Sequence, residues 1–316
     1  DYPLKAMATI MEIDPQATLG HYRLEQLRLL VRAPIGTNVE VRFKNPGAET
    51  AQTVTLTAAS DSYATFSLLD FAWRQDLYAD PVEYEILTNG LGYVLIRIEE
   101  SLTDPSDITT IYNAFAEAIG TFVTSNVPGV IVDLRGNFGG RDDLAATLSG
   151  FFYTSNAFYE GQEWYNDVDG TFTRITLDQT GAYPYLDYMS VTPQPVCYRG
   201  PVAVLVNPGT ISSGEGMTMA IGRLPQARVI GFYGTDGSFG LCGGSITLPG
   251  GYTIQYPYGR SLNAEWNIQL DSQNGVGGVH PEIRVPKTEE NVLAFAAGTD
   301  VELNVASDYL LGLRNY

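Results

Sequence analysis

Cationic side chains are scarce in this chain. Its 316 residues carry 18 Lys and Arg against 36 Asp and Glu, a net charge of −18, and only Lys5, Lys44 and Lys287 are lysines. A nucleic-acid interface needs a cationic surface, so nucleic acid is excluded as a partner. An anionic membrane surface would repel the chain. The acidic balance favours substrates of basic character. Histidine is scarcer still, with His21 and His280 alone, and cysteine is limited to Cys197 and Cys242. Two of each, widely scattered, form no metal-ligand spacing, so no metal or other cofactor is expected. The cysteines allow one disulfide. Closing its loop of roughly 45 residues would remove about 4 kcal/mol of unfolded-chain entropy in the simple model. No run of about 18 apolar residues exists, so no membrane span is expected. The opening "DYPLKAMATI" lacks the basic-then-apolar pattern of a signal peptide, as a trimmed mature chain also would.

What remains is a folded composition, 44% hydrophobic and 17% charged. Residues 1–60 read as a small unit. "MATIMEID" is a strand, "YRLEQLRLLVRAP" a helix by its spacing, and "GTNVEVRF" and "AQTVTLTA" two alternating strands. Residues 61–90 are aromatic-rich without a period and read as a linker plus an edge element. From 91 to 316 the pattern changes to one larger core.

There, "YVLIRI", "GVIVDL", "PVAVLV" and "ARVIGF" are short continuous apolar runs, the mark of strands buried on both faces. Helical patterns lie between them. Asp104–Pro105 offers a cap and a first-turn proline, followed by Ile108, Ile111, Phe115, Ile119 and Phe122 on one face. "RDDLAATLSGFF" and "EGMTMAIGRL" are the next two helices. The alternation predicts an α/β fold with a mostly parallel sheet and βαβ crossovers. Ligand sites in such sheets lie beyond the carboxyl ends of the strands. Two glycine-bearing turns fall there, "RGNFGG" and "NPGTISSGEG". The tail reads as hairpins over "GGSITLPGGYTIQYPYGRSL", a strand in "GGVHPEIRVP" and a closing helix capped by Asp300.

Ser212 stands where a buried strand meets the head of a helix. Free N–H groups and the positive dipole end are available there. Those are the parts of an oxyanion hole. A second donor could come from Gly139 or Gly140. The competing reading is a serine that caps the helix.

The ordered series "YVLIRI", "GVIVDLRGNFGG", "PVAVLVNPGTISSGEGMTMAIGRLPQARVIG", "GTDGSFG" and "GGVHPEIRVP" resembles the tail-specific (C-terminal processing) serine protease family. The resemblance implies a crotonase-like core, a peptide or protein substrate, Ser212 as nucleophile, the Ser213 N–H in the oxyanion hole and the "NFGG" glycines as its other donor. "GTNVEVRF…TVTLTA" resembles the C-terminal half of the family's PDZ domain, so residues 1–60 are expected to be a partial PDZ-like unit. Asp133 and Arg135 read as a structural pair fixing the strand-end turn.

The resemblance breaks at the base. Where many members carry lysine, this chain has "GTDGSFG", with Asp236, Gly237 and Ser238. This is similar to a lysine-lacking branch related to the tricorn core and the chlamydial secreted protease, which use histidine and glutamate. Gly275 stands at the glutamate's place, with Asp271 upstream. His280, His21 and Asp236 are the remaining candidates, and Asp236 reads equally as a turn residue. A histidine on an N-terminal fragment of the same precursor is a further expectation, as is a secreted or periplasmic location. A binding protein without catalysis on the same fold and an esterase stand beside the serine endopeptidase as alternatives.

Overall fold

The structure, a computed structural model, describes residues 32–45, 47–62, 80–104, 107–174, 188–270 and 277–312. The expected strand "MATIMEID", most of the helix "YRLEQLRLLVRAP", His21, Asp271 and Gly275 lie outside the described residues. The two alternating segments form an antiparallel hairpin, β1 (Asn38–Phe43) and β2 (Gln52–Thr57), with Asn38 opposite Thr57. The edge element is β3 (Val82–Ile86), which returns antiparallel through β4 (Gly92–Ile96).

Next comes α1 (Thr109–Thr124), which buries Ile111, Phe115, Ile119 and Phe122 as its spacing predicts. Each phenylalanine removed from water is worth about 2–3 kcal/mol. The helix starts later than expected. Asp107, not Asp104, accepts from the Thr109 and Thr110 N–H groups. In "DPSD" both acids suit a cap, and the one nearer the apolar stripe wins. β5 (Val130–Asp133) and α2 (Asp142–Ser149) follow, the latter tightening into a 3-10 turn over Gly150–Phe152.

Then come β6 (Ala157–Asn166), β7 (Thr171–Arg174) and β8 (Tyr188–Val191), three strands that the sequence patterns did not announce. The chain continues through β9 (Val202–Leu205), α3 (Ser213–Gly222) and β10 (Ala227–Gly231). A long hairpin, β11 (Gly240–Thr247) and β12 (Thr253–Leu262), precedes the short β13 (Ile283–Arg284). Two helices close the described chain: α4 (Glu289–Ala296) and α5 (Val301–Leu310), the second capped by Asp300 as expected.

The result is a mixed α/β fold with several sheets. The main sheet runs β13-β10-β9-β5-β4-β3, and every pairing except β3–β4 is parallel. One face packs Val94, Ile96, Val132 and Val204 with Phe115, Phe122 and Met217. The other packs Ile131, Leu205 and Ile230 with Val301, Val305 and Ala306 of α5. Burial on both faces is why these strands read as unbroken apolar runs. A second sheet runs β11-β12-β6-β7, with β8 also on β6.

Arg135 does more than fix a turn. It is fully buried, and its guanidinium donates to both oxygens of Asp133, both of Asp300 and one of Glu302. The end of β5 is thereby tied to the head of α5. The expected Cys197–Cys242 disulfide is a correction: Cys197 is a free thiol, and its Sγ lies against the Tyr153 carbonyl at 3.3 Å. Among the described residues no helix is long and apolar enough to cross a membrane.

Candidate active site

The two glycine-bearing turns lie side by side beyond β5 and β9, the adjacent centre strands of the main sheet. They are stitched together. The Asn207 side chain accepts from Gly136 N–H and Gly209 N–H, both at 2.9 Å. The Thr210 hydroxyl donates to the Leu134 carbonyl at 2.7 Å, and Ile211 N–H donates to the Asn137 carbonyl at 2.9 Å. Gly139, at φ 82°, packs so closely on the second turn that a Cβ there would lie 2.6 Å from Ser212 Cβ. Only glycine fits this approach.

Ser212 is the residue before α3 and has φ 55°, ψ −124°, a region that side-chain-bearing residues rarely occupy. Such strain costs on the order of 1–3 kcal/mol and persists where the surroundings impose it. Its carbonyl accepts from Glu215 and Gly216, so the backbone starts the helix. Its hydroxyl makes no capping bond. The serine is half-buried, and among the described residues its Oγ has no hydrogen-bond partner. The neighbouring Ser213 differs in each respect: it is buried, and its Oγ donates to Glu99 Oε2 at 3.0 Å. The two serines of "SSGE" thus separate into one hydroxyl that is free and one that is committed.

The backbone donors separate in the same way. Gly139 N–H is used by Asn137 Oδ1 at 2.8 Å. The N–H groups of Ser213 and Gly140 donate to nothing among the described residues. Gly140 is held by Glu99, whose N–H donates to the Gly139 carbonyl and whose carbonyl accepts from Arg141.

Two carboxylates that the sequence reading passed over complete the surroundings. Glu215, in the first turn of α3, accepts from the Thr235 hydroxyl at 2.5 Å and from the Gly237 and Ser238 N–H groups at 2.7 and 2.8 Å. It fixes the "GTDG" turn beside the Ser212 turn. Glu99, beyond the end of β4, accepts from Asn137 Nδ2 at 2.7 Å as well as from Ser213. Burial pushes both carboxyls up to about 7 against the pull of those hydrogen bonds. Glu99 sits in "RIEESL", which reads as a polar turn. The available signal was its place just past a buried parallel strand, where sites collect.

Asp236 is bonded to both turns: its N–H donates to the Thr210 carbonyl and its carboxylate accepts from Ser238 Oγ at 2.6 Å. His280 is exposed. It lines a cavity of about 240 Å³ with Thr218, Met219 and Gly222 from the C-terminal half of α3 and Arg223 just beyond it, the end remote from Ser212. The structure does not bring it into hydrogen-bond contact with the serine. Among the described residues no group of three His, Cys, Asp or Glu is arranged to hold a metal.

No curated protein sequence matches the chain. Among solved structures, mature CPAF is similar over 97% of this chain and 73% of its own, at 16% identity and a TM-score of 0.61. A peptidase described as putative from Parabacteroides merdae is similar over 97% and 88%, at 18% identity and a TM-score of 0.53. An S41 protease, also so described, from Bacteroides fragilis is similar over 88% and 67%, at 20% identity and a TM-score of 0.50. At these identities the likeness is one of fold. The family model for peptidase family S41 matches residues 91–285, which hold both turns, α3 and the GTDG segment. That is more than half of the chain, and the chain therefore belongs to peptidase family S41, as a serine-type peptidase.

Proposed function

We propose that the chain is an endopeptidase that forms an acyl-enzyme at Ser212. Ser212 Oγ attacks the scissile carbonyl carbon and gives its proton to a base. The carbonyl oxygen becomes an oxyanion and is held by the N–H groups of Ser213 and Gly140. The intermediate collapses, the C–N bond breaks, and the base returns the proton to the departing amine. Water then repeats the sequence on the ester, releasing the acid and restoring Ser212. Of the two glycines expected as donors, this reading keeps Gly140, because the Gly139 N–H is already bonded to Asn137. The hairpin β1–β2 is read as part of a PDZ-like unit that presents an extended substrate.

The observation that carries the proposal is Ser212 itself: a strained serine at a helix head whose hydroxyl is not spent on capping. Strain retained at a polar turn points to function. The base lies among groups that make no bond to Ser212 in the described residues. One observation favours the rival reading, a binding protein on the same fold, and it is that same lack of a bonded base. Labelling with a fluorophosphonate probe decides between them. Wild type is expected to gain the probe mass while Ser212→Ala does not, with peptide hydrolysis falling at least about 10⁴-fold in the variant. No labelling of wild type would leave the binding protein. His21→Ala and His280→Ala in the same assay then locate the base.

A further inference from the structure

We infer that Glu99 is a positioning residue that spans the two catalytic turns and weakens the oxyanion site when it ionises. The inference rests on the reading of Ser212 and its two backbone donors given above. Its geometric basis is independent of that reading. One carboxyl group holds both turns, with Oε1 on Asn137 of the first and Oε2 on Ser213 of the second. Asn137 passes the restraint on, since its Oδ1 holds the Gly139 N–H and its carbonyl holds Ile211. The backbone of Glu99 brackets Gly140, where a Cβ would lie 2.6 Å from the Glu99 carbonyl carbon. The two unengaged donors, Ser213 N–H and Gly140 N–H, therefore both belong to residues that Glu99 touches. Their separation is set by this one residue, through its side chain at Ser213 and its backbone around Gly140.

Both contacts survive a change of protonation. Asn137 Nδ2 donates to either form. The Ser213 hydroxyl donates to a carboxylate and accepts from a carboxylic acid. What changes is the charge. An ionised Glu99 places a buried negative charge behind the site where an oxyanion must form, and like charges in a low dielectric repel strongly. The neutral acid removes that penalty, as buried acids kept neutral near pH 7 do elsewhere. The groups facing Glu99 do not offset its charge. Asp142 at the head of α2 adds to it. Tyr159 of β6 has its hydroxyl pushed up by burial and then by Asp142, Glu160 and Glu99. On its own segment Arg97 is paired with Glu83, and Arg141 beyond Gly140 is paired with Asp143. Among the described residues no cation hydrogen-bonds Glu99.

The test is the rate of fluorophosphonate labelling across pH 6 to 8.5 for wild type, Glu99→Gln and Glu99→Ala, with Ser212→Ala as control. Glutamine copies the neutral acid: its oxygen accepts from Asn137 and its amide donates to Ser213. The ratio of E99Q to wild type cancels the titration of the base, which both share. It is expected to rise about tenfold between pH 6 and pH 8, the change expected of a group titrating near 7. E99A, which frees both turns, is expected to fall about 100-fold at every pH. In infrared difference spectra, the protonated-carboxyl band that wild type loses over the same range should be weaker by one carboxyl in E99Q, with the Glu215 share remaining. That readout needs no activity. A flat E99Q ratio, an E99Q as slow as E99A, or a band undiminished in E99Q overturns the inference. Labelling of Ser212→Ala at the wild-type rate overturns instead the reading of Ser212.

Discussion

Two groups of buried acids lie beyond the strands of one sheet, and they are treated in opposite ways. Around Arg135, three carboxylates meet one guanidinium, and every charge has a bonded opposite. Around Ser212, Glu99 and Glu215 are buried as deeply yet hydrogen-bond only neutral hydroxyls, amides and N–H groups. In the first set a bonded guanidinium opposes the burial that pushes the Glu302 carboxyl up. Hydrogen bonds without a counter-ion leave the second set near its titration point. The same side chains thus give a permanent joint in one place and a responsive one in the other.

The comparison breaks most visibly at Arg135. Arg135→Met removes the guanidinium from the buried Asp133 and Glu302 and the half-buried Asp300, which is expected to cost about 3–5 kcal/mol in urea unfolding. Acid should rescue the variant in part, because the orphaned carboxylates then take up protons. A gap from wild type that is equal at pH 5 and pH 8 would mean that the joint works by packing and not by charge.

A smaller effect sharpens the other side. Glu99 and Glu215 titrate near 7 in the folded chain. An unfolded carboxyl titrates near 4.3. Between those values the folded protein holds protons that the unfolded chain has released. The stability these groups contribute is therefore full below about pH 4 and is lost as pH rises through 7. Each is worth on the order of 4 kcal/mol at most. The protein is expected to melt at a higher temperature at pH 5 than at pH 8, and Glu99→Gln with Glu215→Gln should flatten that slope. A wild type more stable at pH 8 would contradict the contrast.

The smallest expected effect is at the serine. Ser212→Gly relieves the positive φ and should raise stability by about 1 kcal/mol while abolishing labelling, a trade typical of strained sites.

Much of the frame was legible in the sequence. β4, β5, β9 and β10 were readable because burial on both faces leaves no polar alternation to confuse the pattern. Ser212 was readable from its place between a buried strand and a helix. β6, β7 and β8 were not, because their residues mix aromatics, glycine and acids with no clean period. Glu160 and Gln162 even point into the interior, where they bond each other. Glu99 was missed for a related reason: a buried acid in a turn looks like a solvated one until its partners, 38 and 114 residues away, are known. Cys197 and Cys242 invited a pairing that the fold does not make.

The Arg135 joint also sets a schedule for synthesis. Its partners Asp300 and Glu302 follow 165 and 167 residues later. As the chain leaves the ribosome, at roughly 5–20 residues per second, the centre of the main sheet must wait on the order of ten seconds or more for its counter-charges. Until they arrive, Arg135 has Asp133 but lacks these two carboxylates. A peptidase assembled in this order ties the end of β5 into place only after the head of α5 has been made.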